Sequence, residues 1–218
     1  MKKHPSTDTL IAALAAQAKP VVPATSIVLL WLAGLGIAMA ASLGVVAGMG
    51  FRMDIQHQLA QPDFIGTVGL LVLSACAWGW AAARLAAPRW PLANDALASI
   101  AAGALAWGFM MIPDMLASDA HSLMDTTSDV STHTCAMIVT FMTFPTTLVF
   151  LTAFRHAMPS SPRMMMAAAT ASGTSFSMLA ITLLCARNDA AHIVVGHIFP
   201  ALLLTLAATG IGRRYLRW

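Results

Sequence analysis

The side chains of this chain best able to do chemistry are two cysteines, Cys135 and Cys185, and the histidines near them in sequence, His133, His192 and His197. Two thiols brought together in an oxidising compartment form a disulfide or a redox-sensitive pair. Thiols joined by imidazoles can instead hold zinc or a related metal. Thiols that meet neither partner are inert. The residues alone leave the three open, with Cys135 and Cys185 as a disulfide or sensing pair and His133, His192 and His197 as weak metal-ligand candidates. The histidines form no HxxxH-like pair and read as solvated loop residues. Other reactive signatures are missing: there is no HExxH, GxSxG, phosphate loop or CxxC. The sequence thus points to no enzyme and no cofactor. The 15 methionines, including Met164-Met165-Met166, fall mainly in or beside apolar stretches and suit packing better than metal capture.

Cys135 and Cys185 can meet only if long apolar segments bring them together. The chain has 218 residues, 58% hydrophobic and 10% charged, against roughly 25% charged in ordinary soluble domains. Its charges cluster. None lies between Lys19 and Arg52, Asp63 and Arg84, Asp95 and Asp114, Asp129 and Arg155, Arg163 and Arg187, or Asp189 and Arg213. About 20 apolar residues cross a ~30 Å hydrocarbon core, and a charge at mid-bilayer costs about 2.5–3.5 kcal/mol. The expectation is an all-α integral membrane protein with six transmembrane helices, over 27–51, 64–85, 95–115, 133–154, 164–186 and 193–212. Pro113 and Asp114 close the third span, whereas Pro145 and Pro200 should bend the fourth and sixth. Cys135 then opens the fourth span and Cys185 closes the fifth, at one membrane edge. Cys76 lies mid-span as a small apolar filler.

Basic residues orient the bundle. With the N-terminus inside, the inner segments hold Lys2, Lys3, Lys19, Arg84, Arg89, Arg155, Arg163, Arg213, Arg214 and Arg217, and the outer ones only Arg52 and Arg187. Trp31, Trp78, Trp80, Trp90 and Trp218 cluster toward the inner interface. Both termini are therefore expected in the cytoplasm, with the acidic loop from Asp114 to Thr132 outside.

The N-terminal residues do not read as a secretory signal, because a polar start from His4 to Asp8 precedes the apolar run. Ser6 or Thr7 can cap a helix, with Asp8 favoured at its positive end. Leu10, Ile11, Leu14 and Ala18 share a face, and Pro20 and Pro23 end the helix. Such a segment lies on the membrane or docks a cytoplasmic partner. Within the first span, Gly36, Ala40, Gly44 and Gly48 form a small-xxx-small stripe expected to admit a neighbouring helix closely. No acid, lysine or arginine sits mid-span, and no broken-helix repeat is evident, which disfavours transport.

Taken together these residues resemble the NrsF-type anti-sigma factors, six-helix membrane proteins that hold an extracytoplasmic-function sigma factor inactive. The run from Asp8 to Ala15 with Ala18, Pro20 and Val21 is similar to that family's cytoplasmic N-terminal motif. Cys135 followed by Pro145 resembles its fourth span. The turn from Arg155 to Arg163 with Pro159 and Pro162 is similar to the next connection, and Cys185 to its second cysteine. Gly212-Arg213-Arg214-Tyr215-Leu216-Arg217-Trp218 resembles the closing motif. One stretch departs: where the family tends to carry an acidic-proline run and a Trp-Tyr pair, this chain reads Asn188-Asp189-Ala190-Ala191 and Gly196-His197.

The resemblance implies a multi-pass protein of the bacterial cytoplasmic membrane with two parts. Residues 1–25 would be a sigma-binding segment, with contacts through Asp8, Leu10, Ile11, Leu14 and Ala15. Residues 26–218 would be the six-helix domain with a cytoplasmic tail. It further implies a sigma factor as partner, no direct nucleic-acid binding, and release on a periplasmic signal such as heavy metal or oxidant. The competing reading is a small multi-pass transporter or metal-efflux component. A thiol oxidoreductase is weakened by the missing CxxC. The topology is testable by reporter fusions: Ser160 should report cytoplasmic and Asp125 periplasmic, and a periplasmic signal at Ser160 would overturn the orientation.

Overall fold

The computed structural model describes residues 7–17, 26–86, 94–154, 159 and 161–215, and all regular structure among them is helical. A short helix, α1 (Thr7–Gln17), precedes α2 (Ile27–Met49), the one-turn α3 (Ile55–Gln58), α4 (Pro62–Ala86), α5 (Asn94–Ala117) and α6 (Ala120–Thr127). The chain continues through α7 (Val130–Phe154), α8 (Pro162–Leu184), α9 (Ala190–Ile193), a π-helical turn (Val194–Ile198) and α10 (Phe199–Tyr215). Six segments among the described residues are long and apolar enough to cross a membrane: α2, α4, α5, α7, α8 and the run from α9 through α10. The boundaries fall within a few residues of those read from the charge gaps. Pro20, Pro23, Lys19, Arg89, Trp90, Arg155, Arg217 and Trp218 lie outside the described residues.

Packing separates one helix from the rest. The apolar core of α8 is 78% buried, against 18–33% for the other spans. Helix α8 packs against α4, α10, α7 and α2. Its sequence explains why it can. From Ala167 to Ser177 it is almost all alanine, glycine, serine and threonine, so other backbones approach closely. Gly173 is in tight contact, since a Cβ there would stand 3.1 Å from Thr146 Cβ.

The hydroxyls meet the demand for polar satisfaction inside hydrocarbon. Ser175 and Ser177 donate to the carbonyls of Ala171 and Gly173. Others link helices. Ser172 donates to the Ala75 carbonyl at 2.8 Å, and Ser42 to the Phe176 carbonyl at 3.3 Å. Trp107 Nε1 donates to Ser175 Oγ at 2.9 Å, Ser175 bonds Ser74 at 3.1 Å, and Thr143 bonds Ser177 at 3.0 Å.

Four expectations change. The stripe Gly36, Ala40, Gly44 and Gly48 faces away from the bundle, with open space beside all three glycines. The buried face of α2 is two residues out of phase: Gly34, Ala38, Ser42 and Val46. Gly34 meets the Phe150 ring, and larger side chains complete this seam. Second, α5 continues through Pro113 to Ala117. Pro113 lacks the N–H that would bond the Phe109 carbonyl, a single lost bond that the helix accommodates close to its end. Third, the segment from Asp114 to Thr132 contains α6, capped by the Asp119 carboxylate accepting from the Ser122 backbone N–H at 2.7 Å. Finally, Trp78 packs inward on Gly103 and lies 6.1 Å from Trp107, ring centre to ring centre, so it is a packing residue. Trp31 and Trp80 form the edge-to-face pair near the other end of the bundle.

Two glycines measure the packing. At Gly212 a Cβ would stand 2.6 Å from the Pro162 carbonyl oxygen, a backbone atom that cannot step aside. Gly212→Ala should destabilise the detergent-purified protein by about 1–3 kcal/mol. Gly44→Ala, in open space, should leave stability unchanged or raise it by up to about 1 kcal/mol. Thermal or denaturant unfolding of the two variants checks the contrast.

Candidate functional site

The spans end together in a group of short connections: residues 50–61, 118–129 and 185–189. Two arginines tie these together. Arg52, 4% exposed, donates through Nε to Asp54 Oδ1 at 2.6 Å and through Nη1 to Asn188 Oδ1 at 3.2 Å. Its Nη2 donates to Asp54 Oδ2 at 3.0 Å and to the Ala186 carbonyl at 3.2 Å. The guanidinium lies 5.8 Å from the Phe64 ring centre, a cation–π contact that completes its surroundings. Arg187 pairs with Asp129 and Asp189 and donates to Ser131 Oγ.

These contacts set the carboxyl charges. The Arg52 hydrogen bond holds Asp54 far below the usual carboxylate range. Asp129 is lowered by the Ser131 backbone N–H and hydroxyl, with Arg187 adding to the effect. Burial opposes the charge on Asp189, but the Arg187 hydrogen bond, the His192 backbone N–H and the Arg187 charge together outweigh it and leave that pKa lowered.

This strapwork fixes the geometry beneath it. The backbone N–H of Arg52 donates to the Leu183 carbonyl at 3.0 Å, anchoring the exit of α8. Cys185 follows at once as the C-cap of α8. Asp189 caps α9 by accepting from the His192 backbone N–H at 2.9 Å, which turns the chain back into the bundle. In the π turn, Gly196 allows close approach to α7: a Cβ there would lie 3.3 Å from the Thr132 carbonyl oxygen and 3.5 Å from Cys135 Cβ. Pro200 stands just beyond. The turn's i to i+5 bond, Phe199 N–H to the Val194 carbonyl, accommodates the missing donor by locally widening the helix.

The result brings Cys135, Cys185, His192 and His197 together, one ligand atom of each within 4.8 Å of all the others. The two sulfurs are 3.7 Å apart, in contact and unbonded, with Cys135 donating to Cys185. Cys185 Sγ lies 3.3 Å from His192 Nε2. On its far side His192 shares a 2.9 Å hydrogen bond between Nδ1 and Thr132 Oγ1. The two imidazoles meet edge to face at 5.2 Å. His197 Nε2 is buried without a hydrogen-bond partner. Cys135 donates its S–H and Cys185 Sγ accepts, so the two thiols are not equivalent. Such a group can form a disulfide, react with oxidant, or coordinate a thiophilic cation.

The sequence-level candidates divide cleanly. Contrary to the solvated-loop reading, His192 is fully buried and His197 is 5% exposed. His133 is exposed and turned away from the group, because its neighbour Thr132 takes the inward position on α7. Asp8, Leu10, Ile11, Leu14 and Ala15 all lie on α1, with Ile11 and Leu14 exposed at 59% and 61%. Sequence reasoning missed Arg52, Thr132, Asn188 and Gly196. A signal existed for the first: Arg52 and Arg187 are the only arginines or lysines among these connections.

The sequence matches the family described as NrsF, negative regulator of sigma F, over residues 14–218. The chain belongs to the NrsF family. No curated protein and no solved structure matches it. The family match contains every residue of the cysteine–histidine group and of the six spans. It begins at Leu14, so Leu14 and Ala15 fall within it while Asp8, Leu10 and Ile11 precede it. Membership makes this chain a negative regulator whose partner is a sigma factor. The Arg52 strap gives a direct check on the site: Arg52→Met strands the Asn188 amide oxygen, the Ala186 carbonyl and Asp54. Losing hydrogen bonds to a charged group should cost about 1.5–3 kcal/mol. Hydrogen exchange of residues 183–190 should rise accordingly, with little change in the core of α8.

Proposed function

We propose that this NrsF-family chain is a membrane anti-sigma factor of the bacterial cytoplasmic membrane, with its termini in the cytoplasm and the cysteine–histidine group at the periplasmic surface. In this reading α1 binds an extracytoplasmic-function sigma factor and keeps it from RNA polymerase. A heavy metal or an oxidant reaching Cys135 and Cys185 changes how α7, α8 and the π turn pack. The change passes through α8 to the cytoplasmic end and lowers affinity for sigma. The family match over residues 14–218 carries the regulatory assignment.

Two features support the mechanism. Exposed Ile11 and Leu14 on a short helix offer an apolar contact outside the spans. Central α8 touches the cysteine group at its C-terminal end and packs against four other spans along its length. A signal that shifts the complex from nearly all bound to nearly all free requires about 5.5 kcal/mol of preference between states. Metal–thiolate or disulfide formation can supply energies of this order.

The test is in the N-terminal helix. Leu10→Asp or Leu14→Asp puts a charge into an apolar contact, where an unpaired charge is strongly unfavourable. Each should release the sigma factor, raise transcription of its regulon, and leave membrane insertion unchanged. If both variants retain sigma in pull-downs and still repress, the docking site is elsewhere.

A further inference from the structure

We infer that Cys135, Cys185, His192 and His197 form a closed four-ligand site for one divalent d10 cation, zinc or cadmium, reached through the adjoining cavity between α4, α5 and α8. As a binding site this rests on geometry alone; as the receptor of the release signal it also rests on the anti-sigma reading.

Ligand spacing is the first argument. Two thiolates on a tetrahedral zinc, each about 2.3 Å from the metal, stand about 3.8 Å apart, and a thiolate and an imidazole nitrogen about 3.5 Å apart. The sulfurs here are 3.7 Å apart, and Cys185 Sγ is 3.3 Å from His192 Nε2. All four ligand atoms lie within 4.8 Å of one another. Closing the widest pair onto a shared ion thus takes movement of roughly 1 Å.

The surroundings match a ligand set more closely than they match four packing side chains. His197 Nε2 has no hydrogen-bond partner although its side chain is buried, a costly arrangement that coordination through that nitrogen would relieve. His192 is held from behind: with its Nδ1–H donating to Thr132 Oγ1, Nε2 presents its lone pair toward Cys185. That outer hydrogen bond is the usual support for a metal-ligating histidine. The ligands come from α7, the end of α8, α9 and the π turn, so a bound ion would pin three spans together.

Charge selects the ion. Two thiolates, two neutral imidazoles and a dication sum to zero, which suits a buried position beside hydrocarbon. A monovalent cation would leave a net negative charge there. Four protein ligands leave no open position, so the site is of the structural or sensory kind.

The access route is visible too. A cavity of about 340 Å³ has Cys185 and His197 in its wall, together with Asp63 and Asp114. Arg52 and Arg187 also line it, but Asp54, Asp129 and Asp189 hold them in ion pairs. The passage accordingly favours cations.

The experiment uses full-length protein in detergent, kept reduced, stripped with chelator and titrated with Co2+, a spectroscopic stand-in for zinc. The expected result is one Co2+ per chain, with the intense visible bands of four-coordinate cobalt and thiolate charge transfer, displaced by Zn2+. His192→Ala and His197→Ala should each weaken binding by more than the roughly 10–100-fold that loss of an outer-shell partner costs, and Thr132→Val by about that amount. Asp63→Asn combined with Asp114→Asn should slow loading severalfold without changing the end point.

Weak six-coordinate bands, or no binding by the unmodified chain, would overturn the site whatever the variants do. Histidine variants that bind as tightly as the parent would reduce it to two thiolates and overturn the four-ligand assignment. Unchanged loading in the double aspartate variant would overturn the route. Sigma retention, measured on the same preparations by pull-down, is read separately. Protein that binds the metal on titration but retains no sigma even when stripped of metal defeats the anti-sigma reading alone, and protein that retains sigma but binds no metal defeats the site alone.

Discussion

Helix α8 can occupy the middle of the bundle only because its surface is made of small and hydroxylated residues. Four other spans lean on it, and the run of small residues around Gly173 lets them approach closely, with Phe176 as the one large side chain between Ala167 and Ser177. Yet a helix of alanine and glycine alone would offer its neighbours little beyond shape. The serines and threonines supply the rest. Ser172, Ser175 and Ser177 bond to α4, α5 and α7. In hydrocarbon these groups have no water to fall back on, so each bond also fixes helix rotation.

Rotation is what the chemistry needs. Cys135 and Cys185 belong to consecutive helices, and matched depth would not suffice if either side chain pointed to lipid. The Thr143–Ser177 bond and the seat of Gly173 against Thr146 set how α7 faces α8. That orientation puts Cys135 beside the end of α8. The arginine straps then hold the exit of α8, and the Asp189 cap returns the chain toward the bundle interior. The π turn finishes the job: in the helix forced to widen ahead of Pro200, Gly196 lets His197 sit beside the thiols.

A regulator built this way joins two kinds of surface. At one end the charges are paired and geometrically exacting, with Arg52 buried among its partners. Elsewhere the short helix α1 presents the exposed apolar side chains Ile11 and Leu14. The outward stripe of Gly36, Gly44 and Gly48, by contrast, has open space beside it. Its spacing alone would have placed it at a helix contact, and α2 packs through a different set of residues.

The sequence by itself determined the number of spans, their approximate limits and the family, because charge is excluded from hydrocarbon wherever it falls in the chain. Asp63, Arg84, Asp95 and Asp129 therefore mark span edges without any knowledge of contacts. It also singled out Cys135 and Cys185, whose positions near helix ends follow from counting. Rotation about each helix axis was decided by the tertiary structure, since apolar spans have apolar residues on every side and periodicity carries no signal there. That is why the glycine stripe was misassigned and why Thr132 turns inward while His133 turns out. The burial of His192 and His197 likewise depended on a turn of three contacts: the Asp189 cap, the fit of Gly196 against α7 and the widened turn before Pro200. Each is local, but their joint direction exists only once α7 and α8 are packed.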